Sequence, residues 1–365
     1  MNIKLVLYFI IVILGLFLTN FDDAKGSGRK WYVFIIISLL VLESCLRNVV
    51  VGPDTIHYYT SFESVSSQSW DNIFASFSSV YSEGEGKDPG FLIFMKACQI
   101  LSLDFNVFLF FCALPFFIPL GIILYRYSTS VLQLMFAFTL YVALFNIVAL
   151  SGIRQQIATG LCFVSFLQLD KGKLIPAILL ILLGATIHIS TLVFLSIPVL
   201  RYLSPQIIKS FHLFSFATIP FIIVFAAPII LLLASFLAND YYSGYAESES
   251  SGSSAKYIIM MELLSLFCFI FISKSQIARN ERTRLLYCML PMLTMTAPLI
   301  SLNGVMIRIG QYFTMYMMLL VPRAIDSMSK GSTRYLLYFG MIVILILMSM
   351  RGGDFKYYFF WQSVI

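Results

Sequence analysis

The chain has 365 residues, of which 59% are hydrophobic and only 12% charged, with a formal net charge of +6. Its mean hydropathy is +0.89, and an ordinary soluble domain carries about 25% charged residues, so a soluble globular fold is excluded. The apolar runs have helical length, which points to an all-α, polytopic membrane protein and not a barrel.

Spans of apolar sequence between polar breaks are expected near 4–19, 31–48, 106–124, 130–150, 155–169, 174–187, 189–203, 213–237, 257–273, 285–300, 309–325 and 335–350. That is about 12 transmembrane helices in a single domain over 1–365. The first run, up to Thr19, has no small-x-small cleavage pattern and is followed by Lys25, Arg29 and Lys30, so it reads as an uncleaved span. The six cysteines are scattered through apolar segments without a CxxC pair and read as small core residues.

Loop charge orients the chain. The loops 20–30, around Arg126, 170–173, 201–212, 274–284 and 323–334 hold 15 Lys/Arg against 5 Asp/Glu, and by the positive-inside rule they are cytoplasmic. The other loops are acidic and serine-rich and face outward. They are the large outer loop 47–105, the second outer loop 238–256, the segments around Arg154, His188 and 301–308, and the tail 351–365. The 14-residue run "GFLIFMKACQILSL" carries Lys96 in its middle. As a helix it would be about 21 Å long against roughly 30 Å of hydrocarbon. It is therefore expected to lie in the outer leaflet as a surface helix. A second surface helix is expected around "QSWDNIFASF".

This topology puts Asp54, Asp88, Arg154, His188 and Arg308 on the outer face. Each has an ordinary reading. An arginine at a helix end commonly snorkels to headgroups, and for Arg154 or Arg308 alone that reading outweighs function. Gln155 and Gln156 can bridge helices. Asp54 and Asp88 can cap helices, and a lone histidine is most often a packing residue. Taken together, however, two arginines suit a diphosphate, which guanidinium binds bidentately. A carboxylate or histidine beside them can take a proton from an attacking hydroxyl. Tyr58, Tyr59 and the tyrosines of 241–245 can stack on sugar rings.

The segments "GPDTIHYY", "DPGFLIF", "SGIRQQIATGL", "TIHISTLVFL" and "IRIGQYF" occur in the order found in the EpsG family of bacterial polysaccharide polymerases, which the chain resembles over roughly residues 50–320. That family is similar in role to Wzy O-antigen polymerases. The resemblance implies an enzyme of the bacterial inner membrane, facing the periplasm, that joins oligosaccharide repeat units carried on undecaprenyl diphosphate. The fold it implies is similar to GT-C glycosyltransferases. There an early loop Asp is the base, which carries over to Asp54, with His188 as the second candidate. Arg154 and Arg308 would bind the diphosphate, and Tyr58, Gln155, Asp88 and Tyr312 would contact substrate. The family usually has Glu before Pro-Gly, where this chain has Asp88. No cofactor and no metal are implied, and the sequence offers no DxD-type cluster. Beside the lipid-linked oligosaccharide and the bilayer, a chain-length regulator and a flippase are candidate partners; nucleic acid is not. The competing readings are a lipid-linked oligosaccharide flippase or transporter, another lipid-linked-sugar glycosyltransferase or ligase, and a non-catalytic scaffold.

Overall fold

Polar breaks, prolines and glycines decide where each helix stops. The computed structural model describes residues 2–21, 26–83, 86–236, 254–302, 304–328, 331–350 and 356–363. In chain order its helices are α1 Ile3–Thr19, α2 Ser27–Cys45, α3 Thr55–Ser66, α4 Trp70–Ser82, α5 Pro89–Leu101, α6 Phe105–Tyr127, α7 Val131–Leu144, α8 Asn146–Ser151, α9 Ile153–Asp170 and α10 Leu174–Ile187. They continue with α11 Ser196–Leu200, α12 Pro205–Phe236, α13 Ser254–Phe271, α14 Lys274–Arg279, α15 Glu281–Tyr287, α16 Met289–Thr296, α17 Ile307–Thr314, α18 Met317–Met328 and α19 Ser332–Met350. The segments Ile189–Leu195, Ala297–Ser301 and Gly304–Met306 are 3-10 turns. Among the described residues there is no β-strand, and one isolated antiparallel bridge pairs Arg47 with Phe359. The expected all-α class holds.

The helix ends follow their local chemistry. Asp104 opens α6 by accepting from the N–H groups of Asn106 and Val107 at 2.7 and 3.1 Å. Asn280 does the same for α15 through Thr283, and Ser273 with Gln276 forms a capping box on α14.

Among the described residues, four helical stretches are long and apolar enough to cross a membrane: Phe105–Tyr127, Pro205–Phe225, Glu281–Ser301 and Ser332–Met350. Large apolar side chains are exposed on several helices. Ile175, Leu179, Leu182 and Leu183 line one side of α10, as lipid contact requires. The chain is a helical membrane protein.

Several expected spans are interrupted. The run 130–150 breaks at Phe145, between α7 and α8, and 309–325 breaks between α17 and α18. The run 189–203 starts as a 3-10 turn and only then becomes α11. Within α12, Phe225 has non-helical dihedrals three residues before Pro228, because a proline removes one ladder hydrogen bond and crowds the preceding turn. Residues 238–253 of the expected second outer loop lie outside the described residues.

The chain forms two compact units. The first comprises Met1–Ser69, Phe91–Leu167 and Met328–Ile365; the second comprises Trp70–Gly90 and Gln168–Ser327. In the first, α9 approaches α6 so closely that a Cβ on Gly160 would lie 2.1 Å from the carbonyl oxygen of Pro115. Only glycine permits that backbone contact. All six cysteines are free and buried, as small core residues.

Candidate functional site

In the second unit, His188 sits at a break made by packing. It follows the end of α10 in extended backbone, with φ −156° and ψ 109°. Its carbonyl accepts from the Thr191 N–H at 3.0 Å and from the Thr191 hydroxyl at 2.6 Å. Gly184 admits this turn, since a Cβ there would meet Thr191 Cγ2 at 2.8 Å. The imidazole Nδ1 lies 3.5 Å from Oδ2 of Asp88, and Oδ1 of Asp88 accepts from the Ile189 N–H at 3.3 Å. At 3.5 Å the first contact is long for a hydrogen bond, but the carboxylate faces the ring directly.

Asp88 is buried, with its side chain 3% exposed. Its φ is +52°, a left-handed conformation unusual for a residue other than glycine and doubly so before proline. The neighbouring Gly90 shows what holds it there. A Cβ on Gly90 would lie 2.3 Å from Oγ1 and 2.9 Å from the carbonyl oxygen of Thr186. The Asp88–Pro89–Gly90 turn is therefore pressed against the end of α10, and strain of this kind persists only where the surroundings over-determine it. Burial, and then the negative charge of Asp88, raise the Tyr81 phenol above its ordinary pKa.

Tyr312 is fully buried on α17. Its hydroxyl lies 3.1 Å from Ser190 Oγ and 3.3 Å from Thr191 Oγ1. This ties α17 to the turn that follows His188. Arg308 is one helical turn earlier on the same face of α17 and is partly exposed.

In the first unit, Asp54 occupies the cap position of α3, yet its side chain makes no capping hydrogen bond. The preceding Gly52 has φ +95°, and a Cβ on it would lie 3.4 Å from Leu150 O and from Ser151 Cα, so the Asp54 loop rests on α8. α9 starts at Ile153. Arg154 is thus inside its first turn, not before it as the expected span 155–169 implied. The Arg154 guanidinium carbon lies 5.7 Å from the centroid of the Tyr58 ring, within cation–π range. Phe91 packs edge-on against Tyr58 at 5.6 Å. Gln155 and Gln156 are both buried, and the Gln156 amide has no hydrogen-bond partner among the described residues. Lys96 of α5 donates to the Val65 and Ser66 carbonyls at 3.2 and 3.1 Å, at the C-terminal end of α3. That explains a lysine in the middle of an apolar segment.

Each unit therefore brings predicted residues together: Asp54, Tyr58 and Arg154 in the first, Asp88, His188 and Tyr312 in the second. A family model described as the EpsG family matches residues 30–352, which include all of them. The chain belongs to the EpsG family. No curated protein and no solved structure matches it. Membership of the EpsG family points to a polysaccharide-polymerase type of function with glycosyltransferase-like chemistry.

Two residues of this EpsG-family chain escaped the sequence reading. Glu43 is buried in α2, and its Oε1 accepts from Asn146 Nδ2 at 2.8 Å. A lone acid in the apolar run "IIISLLVLESC" was the available signal, because a carboxylate at membrane depth needs a partner. Thr191, whose hydroxyl meets that of Tyr312 at 3.3 Å, carries no such signal.

Proposed function

We propose that this EpsG-family protein joins undecaprenyl-diphosphate-linked oligosaccharide repeat units into O-antigen or exopolysaccharide at the outer face of the bacterial inner membrane, on a GT-C-like scaffold. Transfer of a sugar from a lipid diphosphate asks for two things. A group must accept the proton of the attacking hydroxyl, and cations must stabilise the diphosphate as its bond to the anomeric carbon breaks.

The observation that carries the reading is the buried Asp88 facing the partly exposed His188 ring. With Nδ1 turned to the carboxylate, the ring is oriented and Nε2 is left as the proton acceptor. The acceptor oxygen forms the new bond to the anomeric carbon, its proton goes to Nε2, and undecaprenyl diphosphate leaves with the bonding electrons. Arg154 and Arg308 are assigned to the diphosphate. Tyr58 supports Arg154, and Tyr312 holds the helix that carries Arg308. Asp54, at the start of α3 in the same unit as Arg154, is the alternative proton acceptor.

The test is the surface-polysaccharide ladder of a deletion strain complemented with wild type, His188→Ala, Asp54→Asn or Arg154→Ala. Deletion should leave single-repeat material on the lipid core. Wild type should restore the ladder, while His188→Ala and Arg154→Ala should not, although both remain in the membrane. Loss of even the single repeat on deletion would place the step earlier and favour a flippase. A full ladder from His188→Ala together with none from Asp54→Asn would move the base to Asp54.

A further inference from the structure

α8 is a six-residue helix between two breaks. It starts at Asn146, after Phe145 departs from helical geometry, and it ends at Gly152 with φ −93° and ψ 65°. Two residues later comes Arg154. The last turn of α8 also bears the Asp54 loop, because Gly52 rests on Leu150 and Ser151. Thr55 fastens the same loop by donating to Val51 O at 2.6 Å. The register of this one short helix therefore locates both Asp54 and Arg154.

At its other end α8 has no side-chain cap. What ties it is Asn146, 2% exposed, donating to the 5% exposed Glu43 of α2 at 2.8 Å. α2 is itself well anchored at that level. The Tyr357 hydroxyl donates to Glu43 O at 2.7 Å, and Asn106 of α6 donates to Cys45 O and Arg47 O at 2.7 and 3.0 Å. Arg47 and Lys4 supply nearby positive charge. An apolar helix pair of this kind would pack as well without a buried acid. Burying a carboxylate is unfavourable unless it is hydrogen-bonded, so a specific positional role accounts for it better than packing does.

We infer that Glu43 and Asn146 are positioning residues that set the register of α8, and through it place Asp54 and Arg154. This rests on the reading above, in which Arg154 holds the diphosphate and Asp54 is the alternative proton acceptor. The hydrogen bond needs an acceptor oxygen at position 43 and a donor at 146, not a charge. Glu43→Gln therefore keeps it, whereas Glu43→Ala and Asn146→Ala remove it.

The experiment has two readouts, both in detergent-purified protein whose yield from the membrane is measured first. One is the polymerisation rate with lipid-linked repeat units. The other, independent of activity, is the maleimide labelling rate of a cysteine placed at position 154, corrected for the native cysteines. Glu43→Ala and Asn146→Ala should lower kcat/KM by about 10- to 100-fold and should speed labelling at 154; Glu43→Gln should do neither. Unchanged labelling in Glu43→Ala overturns the inference whatever the ladder shows. Glu43→Gln behaving like Glu43→Ala overturns it too, since charge and not the hydrogen bond would then matter. Accelerated labelling in a protein whose deletion leaves polymer synthesis intact supports the positioning and sinks the polymerase reading instead.

Discussion

His188 and Asp88 stand 100 residues apart in sequence and 3.5 Å apart in space, from Nδ1 to Oδ2. The other oxygen of the aspartate accepts from the backbone N–H of Ile189, so it grips the histidine turn through both side chain and main chain. His188→Ala should lower the polymerisation rate by about 10²- to 10⁴-fold, the usual worth of a positioned base. Asp88→Asn is the sharper probe. Asn tolerates the left-handed backbone that Asp88 adopts, so the turn is kept while the carboxylate facing His188 becomes a neutral amide. A smaller loss than for His188→Ala is expected in initial-rate measurements, and a wild-type rate would remove the carboxylate from the mechanism.

Arg154 lies over Tyr58, and the two should respond as a pair. Tyr58→Phe keeps the ring face and should leave the KM for lipid-linked donor near normal. Tyr58→Ala removes a contact worth about 0.5–2 kcal/mol and should raise it. Arg154→Lys should also raise KM, because an ammonium cannot bind phosphate with a bidentate fork. Donor-concentration series on the three variants decide the matter; equal KM values throughout would argue against a diphosphate at Arg154.

Tyr312→Phe deletes the hydroxyl that meets Ser190 and Thr191. Each buried hydrogen bond contributes about 0.5–1.5 kcal/mol, so the melting temperature in detergent should fall modestly. The rate should fall as well if the bond holds Arg308's helix to the His188 turn. A lower melting temperature with an unchanged rate would mean that Tyr312 serves stability alone.

Two glycines make a matched test of helix approach. Gly160→Ala drives a methyl group to 2.1 Å from Pro115 O, where only backbone can give way. It should destabilise by about 1–3 kcal/mol. Gly340→Ala in α19 meets nothing within 4 Å and should be neutral or stabilising by about 0.5–1 kcal/mol. Thermal unfolding of both proteins in one detergent checks the contrast.

Composition and periodicity sufficed for the all-α membrane class, for α1, α6, α10 and α19 close to their observed limits, and for a helix at α4. Those properties are local: apolar length, caps and the spacing of polar breaks decide them. The order of short motifs was enough to name the EpsG family. What the sequence could not show was where an apolar run would break, since nothing near Phe145 forbids a helix, and the partner of Asn146 is on α2, 103 residues earlier. Nor could it show that Asp88 turns left-handed to meet His188, or that Arg154 rests on Tyr58. These depend on distant segments pressed together, as at Gly52 and Gly90, and only the tertiary packing decides which distant segment arrives.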